Sequence, residues 1–237
     1  MQKLRIDIWS DIACPWCYIG KRHLEQALAT FEHKDDVEIV WRAFELDPSA
    51  PKLREAVPNA ERLAKKYGVT VEQAHAMMQR VIDAGKAAGL DMKLHDSKSG
   101  NTFDAHRLLH WAGTLGKQDA MKERLMRAYQ SEGAVISNLD VLVSLAADIG
   151  LDATEARAVL ESDRYTADVR ADEQLAQELR ITGVPFFVLA GKLAVSGAQP
   201  VETLKLVLDK AWAERPQLEQ VAADEQDQPA CGPDGCD

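Results

Sequence analysis

Apolar and charged residues alternate along the first stretch of the chain, with Leu4, Ile6 and Ile8 as the apolar positions, which predicts a half-buried strand from Leu4 to Trp9. From Pro15 to Phe31 the spacing lengthens to three and four residues, through Ile19, Leu24, Leu28 and Phe31, and predicts a helix. Val37 to Phe44 returns to β-branched and aromatic residues, a second strand, before Asp47-Pro48-Ser49-Ala50-Pro51 breaks the pattern. Residues 59 to 177 read as helical almost throughout. Leu63, Ala64 and Tyr67 mark one short helix, and His75, Met78 and Ile82 a second. Asn101 is placed to cap a third, with Asp104 completing the capping arrangement ahead of Leu108, Leu109 and Trp111. Leu139, Leu142, Val143 and Ala146 mark another, closed by Gly150. Strand chemistry resumes from Val184 to Leu189, and Gly191-Lys192 turns the chain into Leu193-Ala194-Val195-Ser196, predicting a hairpin. A last helix carries Leu204, Val207, Leu208, Ala211 and Trp212 on one face. The order is βαβ, a helical block, then ββα. Two halves of one sheet separated by a helical insertion make this an α/β chain.

From Glu214 the apolar pattern ends. The last 24 residues hold seven acidic residues and one arginine, so they carry −6 of the chain's −10, and they read as a mobile tail. The acidic balance, with a pI near 5.1, argues against nucleic acid or an anionic membrane as a partner. No apolar run approaches the ~20 residues that span a bilayer, and the charged, alternating N-terminus does not read as a secretory leader. A cytoplasmic location is expected.

Four cysteines point to chemistry. Cys14 and Cys17 lie near the start, Cys231 and Cys236 at the end, and none between. In Cys14-Pro15-Trp16-Cys17 the motif follows a strand and opens a helix. Pro15 suits the first helical position, where its fixed φ fits and its missing N–H had no partner. Cys14 then takes the N-cap, where free N–H groups and the helix dipole favour an anion, and so a thiolate. Cys17, one turn on, is placed to resolve a mixed disulfide. By itself a Cys-x-x-Cys is equally half of a zinc site or an inert buried pair; the strand–motif–helix context favours redox chemistry.

Cys14-Pro15-Trp16-Cys17, taken with Thr182-Gly183-Val184-Pro185 before a hairpin and terminal helix, resembles the thioredoxin-like DsbA family. Ser10-Asp11, Phe44-Glu45-Leu46, Asn101-Thr102, Ala105-His106-Arg107 and Ser196-Gly197-Ala198-Gln199-Pro200 are similar to its FrnE-like branch. The resemblance covers about residues 3 to 212. It implies a thioredoxin-like domain from residues 1–47 and 178–213, an all-helical insertion at 48–177 and the tail at 214–237. It further implies a cis Val184–Pro185 bond facing the cysteines, with Pro15, Trp16, Val184, Pro185, Asn101 and His106 about the substrate. The activity implied is thiol–disulfide exchange with protein substrates and a cellular reductant or oxidant, without a bound cofactor. Kappa-class glutathione transferases and 2-hydroxychromene-2-carboxylate isomerases share the fold and the helical insertion but carry serine in place of Cys14. A glutathione-dependent transferase or isomerase is therefore the alternative.

Weaker signals remain. His106 and His110 are four apart on one helix, but without the glutamate of a metalloprotease motif they are expected to line the helix and not to hold a metal. Met77, Met78 and Met92 read as helix core. Cys231 and Cys236 flank the turn sequence Pro233-Asp234-Gly235, which brings two sulfurs within disulfide range, and they are expected to act as an accessory redox pair.

Overall fold

A computed structural model of the chain describes residues 3–52 and 57–215, together with the backbone at 231–232 and 235–236. β1 (Leu4–Ser10) leads into α1 (Pro15–Ala29), which returns the chain to β2 (Val37–Ala43). Seven helices follow: α2 (Asn59–Tyr67), α3 (Val71–Ala87), α4 (Phe103–Thr114), α5 (Gln118–Gln130), α6 (Leu139–Asp148), α7 (Ala153–Leu160) and α8 (Thr166–Glu178). The hairpin of β3 (Phe186–Leu189) and β4 (Leu193–Ser196) and helix α9 (Val201–Ala213) complete the fold.

The four strands lie in the order β2-β1-β3-β4. β1 runs parallel to β2 and antiparallel to β3, so Ile8 is flanked by Trp41 and Phe187. Two strands far apart in sequence thus share the centre of the sheet, with the helical insertion between them. One face buries Leu4, Ile6, Ile8, Phe187 and Leu189 against Leu24 and Ala27 of α1 and Leu204, Leu208 and Ala211 of α9. Burying one such leucine from water is worth ~2 kcal/mol, which is what docks α9. A second core lies within the insertion, where Leu108, Met121, Leu125, Leu142 and Val159 pack around Ile12, just beyond β1. Met78 and Met92 join a third core with Cys14 and Cys17, as core methionines should, while Met77 is half-buried.

Two local expectations shift by a residue. The N-cap of α4 is Thr102; Asn101 stands one place earlier and its Oδ1 accepts from Phe103 N at 2.9 Å. Asp104 does not complete a capping box because it is bound instead to Arg107 and Lys52. In the hairpin the left-handed residues are Ala190 and Gly191, so the turn starts one residue before Gly191-Lys192.

Candidate active site

Cys14 is the N-cap residue of α1 and Pro15 occupies its first turn, so the motif sits where β1 hands over to the helix. Both cysteines are free thiols. Cys14 retains 5% exposure and Cys17 none, while Trp16 between them is exposed. Access therefore distinguishes the two sulfurs. The Val184–Pro185 bond is cis, and Cys14 Sγ donates to Val184 O at 3.6 Å. Gly20 lets α1 approach this loop: a Cβ there would stand 3.0 Å from Pro185 Cγ. The backbone of Gly197 donates to Pro185 O at 2.8 Å and fixes the loop from the other side.

Beneath the pair lies a buried polar group. Asp11 accepts from Leu46 N at 2.8 Å and Ala13 N at 3.2 Å, and His106 Nε2 stands 3.6 Å from its carboxylate. Glu45, next to Leu46, accepts from Asn101 Nδ2 at 3.3 Å and from Arg170 at 2.8 Å. The Glu45-Leu46 loop, Asn101 and His106 are thus gathered on the Asp11 side of the motif. His106 is 1% exposed, so it supports the floor of the site and does not line an open substrate surface. Burial holds it below the ordinary histidine value despite Asp11. His110 turns elsewhere, with Nε2 2.9 Å from Asp172, so the two rings serve different acids.

The two buried thiols are hydrogen-bonded to each other, and that bond pushes them in opposite directions. Burial works against a thiolate at Cys17, but the thiol of Cys14, the charge of Lys122 and the hydroxyl of Ser10 outweigh it and hold Cys17 below its ordinary value. The hydrogen bond to Cys17 and burial push Cys14 well up. Cys14, with the only residual exposure of the two, is thus the reachable sulfur. Lys122 went unnoticed in the sequence because a lysine in a helix reads as a surface residue; only its place between Met121 and Leu125, both buried, hints otherwise.

A model of the DSBA-like thioredoxin domain matches residues 5–209. The chain belongs to this family. It is a disulfide oxidoreductase with a thioredoxin-like fold and a helical insertion. A crystal structure from Streptomyces coelicolor, described as a probable DsbA oxidoreductase, is 46% identical with a TM-score of 0.89, covering 99% of this chain and 98% of its own. An uncharacterised Bacillus subtilis protein, YwbO, is 29% identical over 198 residues, 82% of this chain and 90% of its own. A 2-hydroxychromene-2-carboxylate isomerase shares the fold at 15% identity and a TM-score of 0.67, over 89% of this chain and 97% of its own. Among the described residues no helix is long and apolar enough to cross a membrane. The side chains of Cys231 and Cys236 lie outside the described residues.

Proposed function

We propose that the chain exchanges disulfides with protein substrates through Cys14 and Cys17, as a cytoplasmic, FrnE-like member of its family that is turned over by a cellular thiol or disulfide. The observation that carries this reading is a free dithiol whose only accessible sulfur, Cys14, stands at a helix N-terminus beside the backbone of Val184. Cys14 attacks one sulfur of a substrate disulfide, forming a mixed disulfide and releasing the other sulfur as a thiol. Cys17 then displaces the bound sulfur, and the two electrons of the dithiol have passed to the substrate. Backbone groups of Val184, with Trp16 exposed nearby, offer an extended peptide both a pairing edge and an apolar contact. Retention of both cysteines favours this exchange over the glutathione-dependent transferase or isomerase reading.

Cys231 and Cys236 extend the same reading as an accessory pair that exchanges with the first. Their backbones are paired opposite one another across a short antiparallel sheet. Directly opposite residues have Cα atoms ~4.5–5.5 Å apart, within disulfide range.

The test is reduction of insulin with a dithiol as electron source. Cys14→Ser is expected to abolish turnover, at least 100-fold, and Cys17→Ser to accumulate mixed disulfides that mass spectrometry locates on Cys14. Faster alkylation of Cys17 than of Cys14 near neutral pH would reverse the roles. Conjugation of a small electrophile at a saturable glutathione site, without insulin reduction, would support the transferase reading instead.

A further inference from the structure

The chain has six histidines, and four of them are partnered by groups distant in sequence. His23 Nδ1 lies 2.8 Å from Gln199 O, His33 stacks on Trp212 with ring centres 4.1 Å apart, and His106 and His110 face Asp11 and Asp172. The other two meet each other. His75 of α3 and His95, in the turn after that helix, are both exposed, with ring centres 5.1 Å apart and planes tilted by 31°. Both backbones are fixed. A capping box between Thr70 and Gln73 holds the start of α3 just ahead of His75. Asp96 N closes the turn at His95 by donating to Lys93 O at 3.0 Å. The same turn is tied to α5 and α2, as Lys93 N donates to Gln130 O at 2.7 Å and Asn59 Nδ2 to Leu94 O at 2.7 Å. Ala74 and Leu94, the neighbours of the two histidines, are buried with Met78 and Met92 in the core that also holds Cys14 and Cys17.

We propose that His75 and His95 form a binding site for one late first-row divalent metal ion, and that the ion pins α3 to the turn following it. An imidazole nitrogen binds zinc at ~2.0–2.1 Å, which puts the ring centre ~3.2 Å from the ion. Two rings meeting at a right or tetrahedral angle then have centres ~4.5–5.2 Å apart. The observed 5.1 Å falls in that range, and the tilt separates this pair from the flat stack of His33 on Trp212. Among the described residues no group of three His, Cys, Asp or Glu side chains could hold a metal ion, so the two imidazoles supply two positions and water the rest. Glu72, three residues before His75, lies on the same face of α3 and adds a negative charge on that side. Affinity comes from two nitrogens presented on backbone that is already ordered, so little is lost in arranging them. Imidazole suits copper, zinc and nickel, whereas magnesium and calcium require oxygen ligands and are refused. Binding passes no electrons, and the disulfide chemistry stays with Cys14 and Cys17.

The test uses the intact protein, stripped with a chelator and oxidised with diamide until no free thiol reacts, so that the cysteines do not compete for the ion. Calorimetric titration with zinc chloride is expected to show one zinc per chain, and titration with magnesium chloride no binding. His75→Gln and His95→Gln should each weaken zinc at least tenfold, because losing one arm of a chelate loses the chelation. For the same reason the double variant should be less than twofold weaker than either single variant. One equivalent of copper(II) should give an electron paramagnetic resonance spectrum with two coordinated imidazole nitrogens, a pattern that either substitution removes. Zinc should raise the urea midpoint of the wild type more than that of either variant. A measurement without substitution reads the same site: by NMR, both rings of the wild type should shift together and saturate at one equivalent of zinc. Equal zinc affinity in the wild type and both single variants would overturn the proposal. So would single losses that multiply in the double variant, or wild-type rings that do not respond to zinc.

Discussion

Glu45 has no exposed side-chain surface, though it sits in the loop leaving β2, and among the described residues its cationic partner is Arg170. That partner is divided, since Arg170 also binds Glu173 at 2.5 Å and lies 4.2 Å from the centre of the Phe103 ring. Burial and the neighbouring Glu173 outweigh Arg170, and the carboxyl is pushed up to about 7. The folded protein therefore holds a proton that the unfolded chain, titrating near the ordinary glutamate value, releases. The stabilisation from this group is complete in mild acid and is lost as pH rises through about 7. Glu45→Gln keeps a neutral hydrogen-bonding side chain at every pH. Its stability relative to wild type is expected to improve by about 1–3 kcal/mol between mildly acidic and mildly alkaline buffer, read from urea midpoints. A difference that stays flat with pH would mean that Arg170 keeps Glu45 ionised throughout. Such a residue is invisible beforehand: Phe44-Glu45-Leu46 reads as the end of a strand, and nothing local says that Glu45 will be closed over by Asn101, just ahead of α4, and Arg170 from α8.

Among the elements, β2 is the edge strand whose free side needs cover, and two helices supply it. Gln118, at the start of α5, meets Trp41 with both ends of its amide, accepting from Trp41 N at 2.9 Å and donating to Trp41 O at 3.0 Å, so that one side chain stands in for a strand. Asp172 of α8 accepts from Ala43 N at 2.9 Å and from Arg42 at 2.8 Å, and His110 Nε2 stands 2.9 Å from its carboxylate. Those partners hold its carboxyl below the ordinary range against the cost of burial. Asp172→Ala leaves Ala43 N buried without an acceptor, and a loss of about 3 kcal/mol is expected in denaturant unfolding at neutral pH. Because the native carboxyl binds its proton more weakly than the unfolded one, this contribution is present above the ordinary carboxylate range and lost on acidification. The wild-type and variant stabilities should therefore converge at low pH. The strands, α1, the hairpin and α9 were legible in the sequence because each buries one face and alternates or recurs accordingly. So was the cysteine motif at the strand–helix junction, where Pro15 marks the boundary. The insertion was legible only as helix: Lys122, Gln130 and Asp172 are polar residues facing inward, and their partners Ser10, Ile12 and Ala43 lie more than a hundred positions away. Hydrophobic periodicity carries no record of such pairs.

The helical insertion either unfolds as a body of its own or shares one transition with the sheet. A chain of 237 residues is long enough for two independently folding units. The bonds just described argue the other way. Lys122 donates to Ser10 O, Gln130 Nε2 to Ile12 O at 2.9 Å, and Trp9 Nε1 to Asp172 O at 2.9 Å, all buried. Ile12, from the strand half, sits inside the largest apolar cluster of the insertion. If the insertion opened first, these backbone carbonyls would lose their donors and Ile12 would be exposed, while the sheet would lose the cover of its β2 edge. Neither half keeps its polar groups satisfied without the other, so partly open forms are penalised by about 1–3 kcal/mol for each stranded group. We expect one cooperative unfolding transition. Far-ultraviolet dichroism reports mainly the helices of the insertion, whereas Trp9 and Trp41 report the sheet through their fluorescence, most cleanly with Trp111 replaced by phenylalanine. The two urea curves should coincide in midpoint and slope. Separate transitions, with the dichroism change leaving the tryptophan signal intact, would show that the helical block folds on its own and that its contacts to β1 and β2 are only a docking interface.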